Sequence, residues 1–142
     1  MRKINLGAGD KAHEDYIGID NNPTMKPGVC RDVTRGLPYD DKSVDAVYTE
    51  NFLEHLAPID FVFVMQEIKR VLKTGSSAEI IVPLGVVPDA THMTFFHEYT
   101  FENLFQQKQR YALNDLKITN KIFKVHGPPF DYKEMHLMVV RE

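Results

Sequence analysis

The sequence predicts a single α/β domain, a mainly parallel sheet that ends in an antiparallel hairpin. Three observations support this prediction. The chain has 142 residues, the length of one domain. Short apolar runs alternate with helical segments through its first two-thirds, which is typical of a parallel sheet covered by helices. The last third holds two apolar runs separated by a turn that contains glycine and proline. We therefore treat residues 1–142 as one domain.

Six short apolar runs have the length of strands and are bounded by Gly, Pro, Asp or Asn. The predicted strands are residues 3–6, 16–19, 44–48, 78–82, 116–125 and 135–140. The last two are joined through Gly127-Pro128-Pro129, and we expect them to pair antiparallel.

Two amphipathic segments are predicted to be helices. The clearer one covers residues 58–73, with basic residues in its last turn and Gly75 after it, as helix C-termini commonly have. Its apolar residues recur at steps of three and four: Phe61, Met65, Ile68 and Leu72. A second helix is predicted to begin with Thr100 as its N-cap and to bury Phe101.

Composition excludes several classes of protein. The formal net charge is −3, so we expect no nucleic-acid partner held by bulk electrostatics. Cys30 is the only cysteine, which rules out an internal disulfide and favours a reducing cytoplasm as the location. No apolar run reaches the roughly 18 residues that a membrane span needs, and the N-terminus lacks the pattern of a signal peptide. We expect no membrane insertion.

A glycine-containing turn follows the first predicted strand. Gly7-Ala8-Gly9 comes directly after Leu6, and a glycine there lets a ligand approach the backbone. Asp20 closes the next strand, where a carboxylate can accept hydrogen bonds from both ribose hydroxyls of a nucleoside. Ligands of open parallel sheets bind outside the carboxyl ends of the strands, where both features fall. The dinucleotide fingerprint fits poorly, because position 12 is Ala and Asp20 follows Gly9 too closely.

At these residues the chain resembles the class I S-adenosylmethionine-dependent methyltransferases. Leu6-Gly7-Ala8-Gly9 is similar to their first motif, and Asp20 to their ribose-binding acid. Further segments are similar to family segments in the same order: residues 31–33, 37–48, 50–56, 67–75 and 89–96. The last of these resembles a segment of the type 11 branch. The resemblance covers roughly residues 4 to 105, and the ordered series is more specific than any one motif.

The resemblance implies a Rossmann-like class I methyltransferase fold, with S-adenosylmethionine as cofactor and S-adenosylhomocysteine as product. It also implies the cofactor-binding residues, which are Gly7, Ala8, Gly9, Asp20, Asn21, Asp32, Val33 and Glu50. In the family, the acid at the position of Asp32 takes the adenine amino group, and the next backbone amide takes a ring nitrogen.

The chain departs from the family between its first two strands. Typical members have a full helix there, whereas residues 7–15 have room for one helical turn at most. The chain thus resembles a short, trimmed branch without the first helix. We expect the uncovered apolar surface of the sheet to be buried in a homodimer. The alternative is that residues 108–116 fold back over the gap.

His92 is the first candidate for a catalytic base. It lies beyond the fifth strand of the family pattern, on the acceptor side, and imidazole titrates near neutral pH. The alternative is that His92 only bonds Asp89 and holds its loop. His97 and Glu98 are second candidates, and His55 is expected to be a packing residue.

Three other patterns carry less weight. Gly127-Pro128-Pro129-Phe130 is similar to a motif of amino-methylating DNA enzymes, but glycine replaces the polar first residue, so we predict a turn. Apart from His92 and His97 in a predicted loop, the six histidines lack metal-ligand spacing with carboxylates on one helix face, so we expect no metal site. An aromatic group is expected in the core or, where exposed, as an apolar wall of the acceptor site: Phe95, Phe96, Tyr99, Phe130 and Tyr132.

The sequence therefore predicts an enzyme that transfers a methyl group from S-adenosylmethionine to a small-molecule or saccharide-precursor acceptor. The acceptor class comes from the resemblance of this short branch to enzymes of polysaccharide and glycolipid pathways. The alternative is a non-catalytic cofactor-binding module or a subunit of a larger assembly.

Overall fold

The computed structural model describes residues 1–11, 13–128 and 131–142. Seven strands form one sheet in the order β3-β2-β1-β4-β5-β7-β6. The strands are β1 (Lys3–Leu6), β2 (Ile17–Asp20), β3 (Val29–Cys30), β4 (Val44–Glu50), β5 (Leu72–Leu84), β6 (Leu116–His126) and β7 (Tyr132–Arg141). Neighbours from β3 to β5 are parallel, and β7 runs antiparallel to both β5 and β6. The predicted α/β class and the C-terminal hairpin are confirmed.

The helices are α1 (Pro58–Val71), α2 (Thr100–Gln106) and α3 (Lys108–Tyr111). Helix α1 ends two residues before the predicted boundary, because Leu72 pairs with Val44 of β4 and starts the next strand. Thr100 is the first helical residue of α2 and not its N-cap, and its hydroxyl accepts from the His97 backbone N–H. Among the described segments, no helix combines the length and the apolar character needed to cross a membrane.

Helices α1 and α2 lie on one face of the sheet, since right-handed crossovers from β4 to β5 and from β5 to β6 put both there. Between them and the sheet lies the main core. It buries the apolar residues of α1, which are Phe61, Val64, Met65, Ile68 and Val71, together with Phe101, Leu104 and Phe105 of α2. From the sheet, Ile4, Leu6 and Ile19 contribute side chains with no exposed surface.

We call the opposite side of the sheet the open face. It carries no helix in the described parts of the chain, and its side chains include Asn5, Tyr48 and Glu79, which lie on neighbouring strands in register. The connection from β1 to β2 is also without a helix in its described residues, which agrees with the predicted loss of the first helix. In the place of a helix, the His13 ring lies 4.1 Å from the Tyr48 ring and 4.4 Å from the Tyr16 ring.

The sequence suggested that the missing first helix leaves apolar side chains of the sheet uncovered, but most of these side chains are buried. The apolar residues of β1 are buried on the helix side, whereas Asn5, Tyr48 and Glu79 on the open face are polar. Ile17 of β2 is in register with Ile4, so it lies on the helix side, where it is 41% exposed at the start of its strand. The alternative prediction, that residues 108–116 fold back over the place of the missing helix, is wrong. Residues 108–116 lie on the helix side, where Gln66 and Lys69 of α1 donate to the carbonyls of Tyr111 and Ala112.

Candidate functional site

The turn after β1 is tied to the end of β2 by one carboxylate. Asp20 Oδ2 accepts from the Gly9 backbone N–H at 2.9 Å, and Asp20 Oδ1 accepts from the Asn22 backbone N–H at 2.9 Å. Each carboxylate oxygen has a second acceptor site, so Asp20 can still accept from a ligand. Asp20 therefore holds the glycine turn in position, and its carboxylate also lines the cleft next to this turn.

The segment that follows β4 packs directly onto this turn. Gly7 has a φ of +64°, and a Cβ built there would lie 2.2 Å from the ring of Phe52. Only glycine therefore fits between the β1 backbone and that ring. The Gly7 N–H donates to the Ile19 carbonyl at 2.9 Å, which closes the turn against β2.

A cleft of about 80 Å³ opens between the glycine turn and the 3-10 turn Val33–Arg35. It is lined by Gly7, Ile19, Asp20, Asn21, Arg31, Asp32, Val33, Thr34, Phe52 and Leu56. Five of the eight residues predicted to bind the cofactor therefore meet in one place: Gly7, Asp20, Asn21, Asp32 and Val33. We call this the cofactor cleft.

Asp32 begins the 3-10 turn at the edge of this cleft. Its Oδ1 accepts from the Thr34 hydroxyl at 2.7 Å and from the Thr34 backbone N–H at 3.0 Å. These hydrogen bonds hold the pKa of Asp32 below its usual value, so the carboxylate is ionised at neutral pH. The Val33 N–H is the first donor of the turn and has no acceptor within the turn itself.

The other three predicted residues lie outside the cofactor cleft. Ala8 and Gly9 line a neighbouring depression that extends towards residues 25–28. Glu50, at the end of β4, accepts from the Tyr48 hydroxyl at 2.9 Å on the open face. Burial and the Glu50 carboxylate raise the pKa of the Tyr48 hydroxyl, so it remains a proton donor.

A second cavity, of about 220 Å³, lies across the segment 51–56 from the cofactor cleft. Phe52 and Leu56 of this segment line the cleft, whereas Asn51, Glu54 and His55 line the second cavity. The rest of its lining is Pro83, Val87, Asp89, His92 and Tyr132. We call it the histidine cavity.

His92 lies in the histidine cavity. Its Nε2 is 3.5 Å from Asp89 Oδ2, and its ring meets the His55 ring at a centroid distance of 4.9 Å and an angle of 84°. The side chain is 7% exposed. This geometry puts His92 across the segment 51–56 from the cofactor cleft, and it also gives His92 the Asp89 partner that the alternative interpretation requires.

Glu54 and His55 are the functional candidates that sequence reasoning missed. The His55 side chain is 37% exposed, so it is not the packing residue that was expected; the neighbouring Glu54 side chain is the buried one, at 2%. Burial raises the pKa of Glu54 to about 7. The sequence did contain a signal for this site. His55 and His92 lie in two segments that carry the family resemblance, residues 50–56 and 89–96, and a shared site for the two segments could have been predicted from it.

The remaining candidates lie apart from both sites. His97 and Glu98 line a separate depression beside Phe123 and Val125. Phe96 stacks on Phe101 in the core, at 5.5 Å between ring centroids. Phe95 and Tyr99 are more than half exposed, and Tyr132 lines the histidine cavity. Pro129 and Phe130 of the predicted turn lie outside the described residues.

Solved structures share this fold at low sequence identity. A SAM-dependent methyltransferase from Archaeoglobus fulgidus is 19% identical, with a TM-score of 0.73 over 99% of this chain and 86% of that one. The YcgJ protein from Bacillus subtilis is 12% identical, with a TM-score of 0.72 over 99% and 92%. A chain from a Haloferax volcanii complex that contains the Trm112 methyltransferase activator is 16% identical, with a TM-score of 0.70 over 99% and 82%.

The sequence comparison identifies the family. No curated protein matches the chain. Residues 5–80, more than half of the chain, match the methyltransferase domain family. This stretch runs from β1 into β5 and includes the glycine turn, Asp20, Asp32 and helix α1. The chain therefore belongs to the methyltransferase domain family, as a class I methyltransferase whose cofactor is S-adenosylmethionine.

Proposed function

We propose that this methyltransferase acts on a small-molecule or saccharide-precursor acceptor that enters through the histidine cavity. The observation that carries the proposal is the placement of the cofactor cleft and the histidine cavity on the two sides of one short segment, residues 51–56. When bound, the cofactor supplies an electrophilic methyl group. The chain's own task is then to hold two molecules in line, which can account for about 7–11 kcal/mol of the barrier.

The cofactor cleft fits a nucleoside. Gly7 leaves room where a side chain would fill the turn, and the Asp20 carboxylate keeps an acceptor site on each oxygen for ribose hydroxyls. Asp32 offers an acceptor, and the Val33 N–H a donor, for the edge of an adenine ring. Asn21, Ala8 and Gly9 adjoin these groups. Glu50 stays a predicted contact, with Tyr48 as its present partner.

On the acceptor side, His92 stays the predicted base. Its side chain reaches the histidine cavity, and an imidazole can take the proton that an acceptor hydroxyl or amine loses. The alternative, that His92 only holds its loop through Asp89, is supported by the 3.5 Å approach of the two side chains. The polar lining of the cavity, with Asn51 and Glu54, suits a hydroxylated acceptor. The reducing cytoplasm stays the predicted location, on the evidence of the single cysteine.

The ribose assignment can be tested by titrating S-adenosylmethionine into two variants. Asp20→Asn removes a charged acceptor, and hydrogen bonds to charged groups contribute about 1.5–3 kcal/mol each, so we expect affinity to fall about 10- to 100-fold. Asp10→Ala is the matched control, because Asp10 is exposed on the same turn, and we expect its affinity to be unchanged. Equal affinities for the two variants would remove the ribose assignment.

The acceptor class can be tested by the formation of S-adenosylhomocysteine. The parent protein is incubated with S-adenosylmethionine and a panel of sugars, nucleotide sugars and small alcohols and amines. Acceptor-dependent product on one chemical class supports the proposal. Tight cofactor binding without product on any of them would contradict it and favour a role as a subunit whose partner completes the site.

A further inference from the structure

We propose that Glu54, His55 and His92 form a binding site for a divalent transition metal ion, with Zn²⁺ as the representative ion. One potential ligand atom from each residue lies within 4.8 Å of the other two. The sequence predicted no metal site because the histidines and carboxylates lack ligand spacing on one helix face. The three proposed ligands instead come from two segments that are distant in the sequence. The site lies in the histidine cavity, outside the cofactor cleft.

The Glu54 carboxyl is the first reason for the proposal. Its side chain is 2% exposed, yet its Oε2 has no hydrogen-bond partner among the described residues. Its Oε1 lies 3.9 Å from His55 Nε2, which is too far for a hydrogen bond. A buried carboxylate oxygen without a partner is unfavourable and is rare in folded proteins. A cation bound at this point would give Oε2 the partner that it lacks.

The orientation of His55 is the second reason. Thr91 Oγ1 donates its single hydrogen to Asp89 Oδ1 at 2.6 Å, so at the 2.9 Å contact with His55 Nδ1 the hydroxyl must be the acceptor. The Thr91 carbonyl also faces Nδ1, at 3.3 Å. The Nδ1 nitrogen therefore carries the hydrogen, and Nε2 keeps its lone pair on the side of Glu54. Histidines that bind metals are typically oriented in this way, by a partner on the other ring nitrogen.

The third reason is that the two loops are fixed against each other before any ion binds. The backbone N–H groups of Met93 and Thr94 both donate to the Glu54 carbonyl, at 2.8 and 3.0 Å. The Thr94 hydroxyl donates to the Leu56 carbonyl at 2.7 Å in a buried position. These bonds hold His92 next to His55, so little ordering remains to be done when the ligands close on an ion.

Two histidines and one carboxylate are a donor set that zinc accepts in sites with an open fourth position. With ligand bonds of about 2.0–2.1 Å, tetrahedral geometry separates the ligand atoms by about 3.4 Å, so small side-chain rotations complete the site. The open position would face the cavity. There, if the proposed methyl transfer is correct, the ion would bind and polarise an acceptor oxygen. That catalytic role depends on the proposed function, whereas the binding site itself does not.

The test is a titration of the full chain, stripped with a chelator and exchanged into chelator-free buffer, with Zn²⁺ in the absence of cofactor and acceptor. We expect one ion per chain with micromolar or tighter affinity, and a tetrahedral absorption spectrum when Co²⁺ replaces Zn²⁺. Glu54→Gln, His55→Ala and His92→Ala should each lower the affinity at least ten-fold. Thr91→Val should lower it through the orientation of His55, by about 10-fold or more.

His97→Ala is the matched control, because His97 is an exposed histidine outside the cavity, and we expect no change. Glu54→Gln keeps the shape of the side chain and removes only its buried charge, so it tests the site even if a histidine variant is unfolded. Binding weaker than millimolar, or binding that Glu54→Gln leaves intact, would overturn the proposal. So would a loss of binding in His97→Ala.

The same preparations separate this site from the proposed function. Zn²⁺ binding with no methyl transfer would keep the metal site and remove the acceptor proposal, whereas cofactor binding and turnover without Zn²⁺ binding would overturn the metal site alone. Turnover that survives in a chelator would support His92 as a free base and contradict the ion's catalytic role.

Discussion

At the scale of single residues, Gly7 joins backbone conformation, packing and the cofactor cleft. Its positive φ is unfavourable for any residue with a Cβ, and the Phe52 ring occupies the space that a side chain would need. Gly9 has a similar φ of +54°, but no atom lies within 4 Å of the position of its Cβ. Substituting alanine at Gly9 therefore costs backbone strain alone, whereas at Gly7 it costs backbone strain and a steric clash with Phe52.

We predict that Gly7→Ala is more destabilising than Gly9→Ala and weakens S-adenosylmethionine binding. Gly9→Ala should lower the free energy of unfolding by about 1–2 kcal/mol, the cost of a left-handed conformation with a Cβ. Gly7→Ala adds the displacement of Phe52 from the edge of the cofactor cleft. Urea denaturation of both variants, with cofactor titration, measures the difference. Equal losses of stability would show that Phe52 moves freely, and the packing role of Gly7 would be withdrawn.

At the scale of elements, one ion pair ties α1 to the segment that enters β4. Glu67 accepts from the Leu37 backbone N–H at 2.7 Å and from Arg70 at 2.6 and 2.8 Å. Arg70 in turn donates to the carbonyls of Leu37 and Tyr39. The pair thus fixes the position of α1, whose C-terminus leads into β5, against the segment that precedes β4.

We predict that Glu67→Gln lowers the free energy of unfolding at pH 7 by about 1.5–3 kcal/mol, because a charged acceptor with several donors is lost. Hydrogen bonding to Arg70 holds the pKa of Glu67 below its usual value of 4.5. Because the pKa is lowered in the folded protein, the ionised Glu67 carboxylate adds to the free energy of unfolding above pH 4.5. This contribution is lost as the pH falls through the lowered pKa. Glu67→Gln should lack this part of the acid sensitivity.

Denaturant unfolding between pH 3 and pH 7 measures both effects. Asp41→Asn is the control: Asp41 also bonds Arg70, but its side chain is 74% exposed, so we expect a loss of about 0–1 kcal/mol. If the control loses as much stability as Glu67→Gln, the buried part of the network is not what holds α1.

At the scale of the whole molecule, the helices lie on one side of the sheet, and two apolar side chains in a depression next to the β1–β2 connection are partly exposed. Ile17 is 41% exposed and Met25 40%. A contact between two copies across a two-fold axis would cover these side chains in both chains at once. This surface is much smaller than the sequence suggested, because Ile4, Leu6 and Ile19 are already buried on the helix side.

We predict a homodimer of the 16.4 kDa chain in sedimentation equilibrium at micromolar concentration. Ile17→Glu should shift the equilibrium to the monomer, because it puts a charge into the contact. Val86→Glu is the matched control, since Val86 is 85% exposed in a loop far along the chain from the gap, and should leave the dimer intact. A parent protein that is strictly monomeric would show that the short connection and its aromatic rings cover the gap sufficiently.

Much of the fold could be predicted from local patterns. Apolar spacing located α1 and six of the seven strands, because each of these elements buries a side-chain face that repeats in the sequence. Strand β3 was missed: it has two residues, held by its pairing with β2 and not by an apolar run. The β5 start was also missed, since Leu72 fits a helical stripe and a strand equally well.

The sequence alone determined the family, the parallel sheet and the placement of Asp20 at the end of the second strand, and it identified Asp32 through the family resemblance. Those features depend on residue type and on spacing within one or two elements. Tertiary structure decided which face of the sheet lost its helix, that this face is the polar one, and that Glu54, His55 and His92 share a cavity. These depend on crossover direction and on contacts between distant loops, and a linear pattern contains neither.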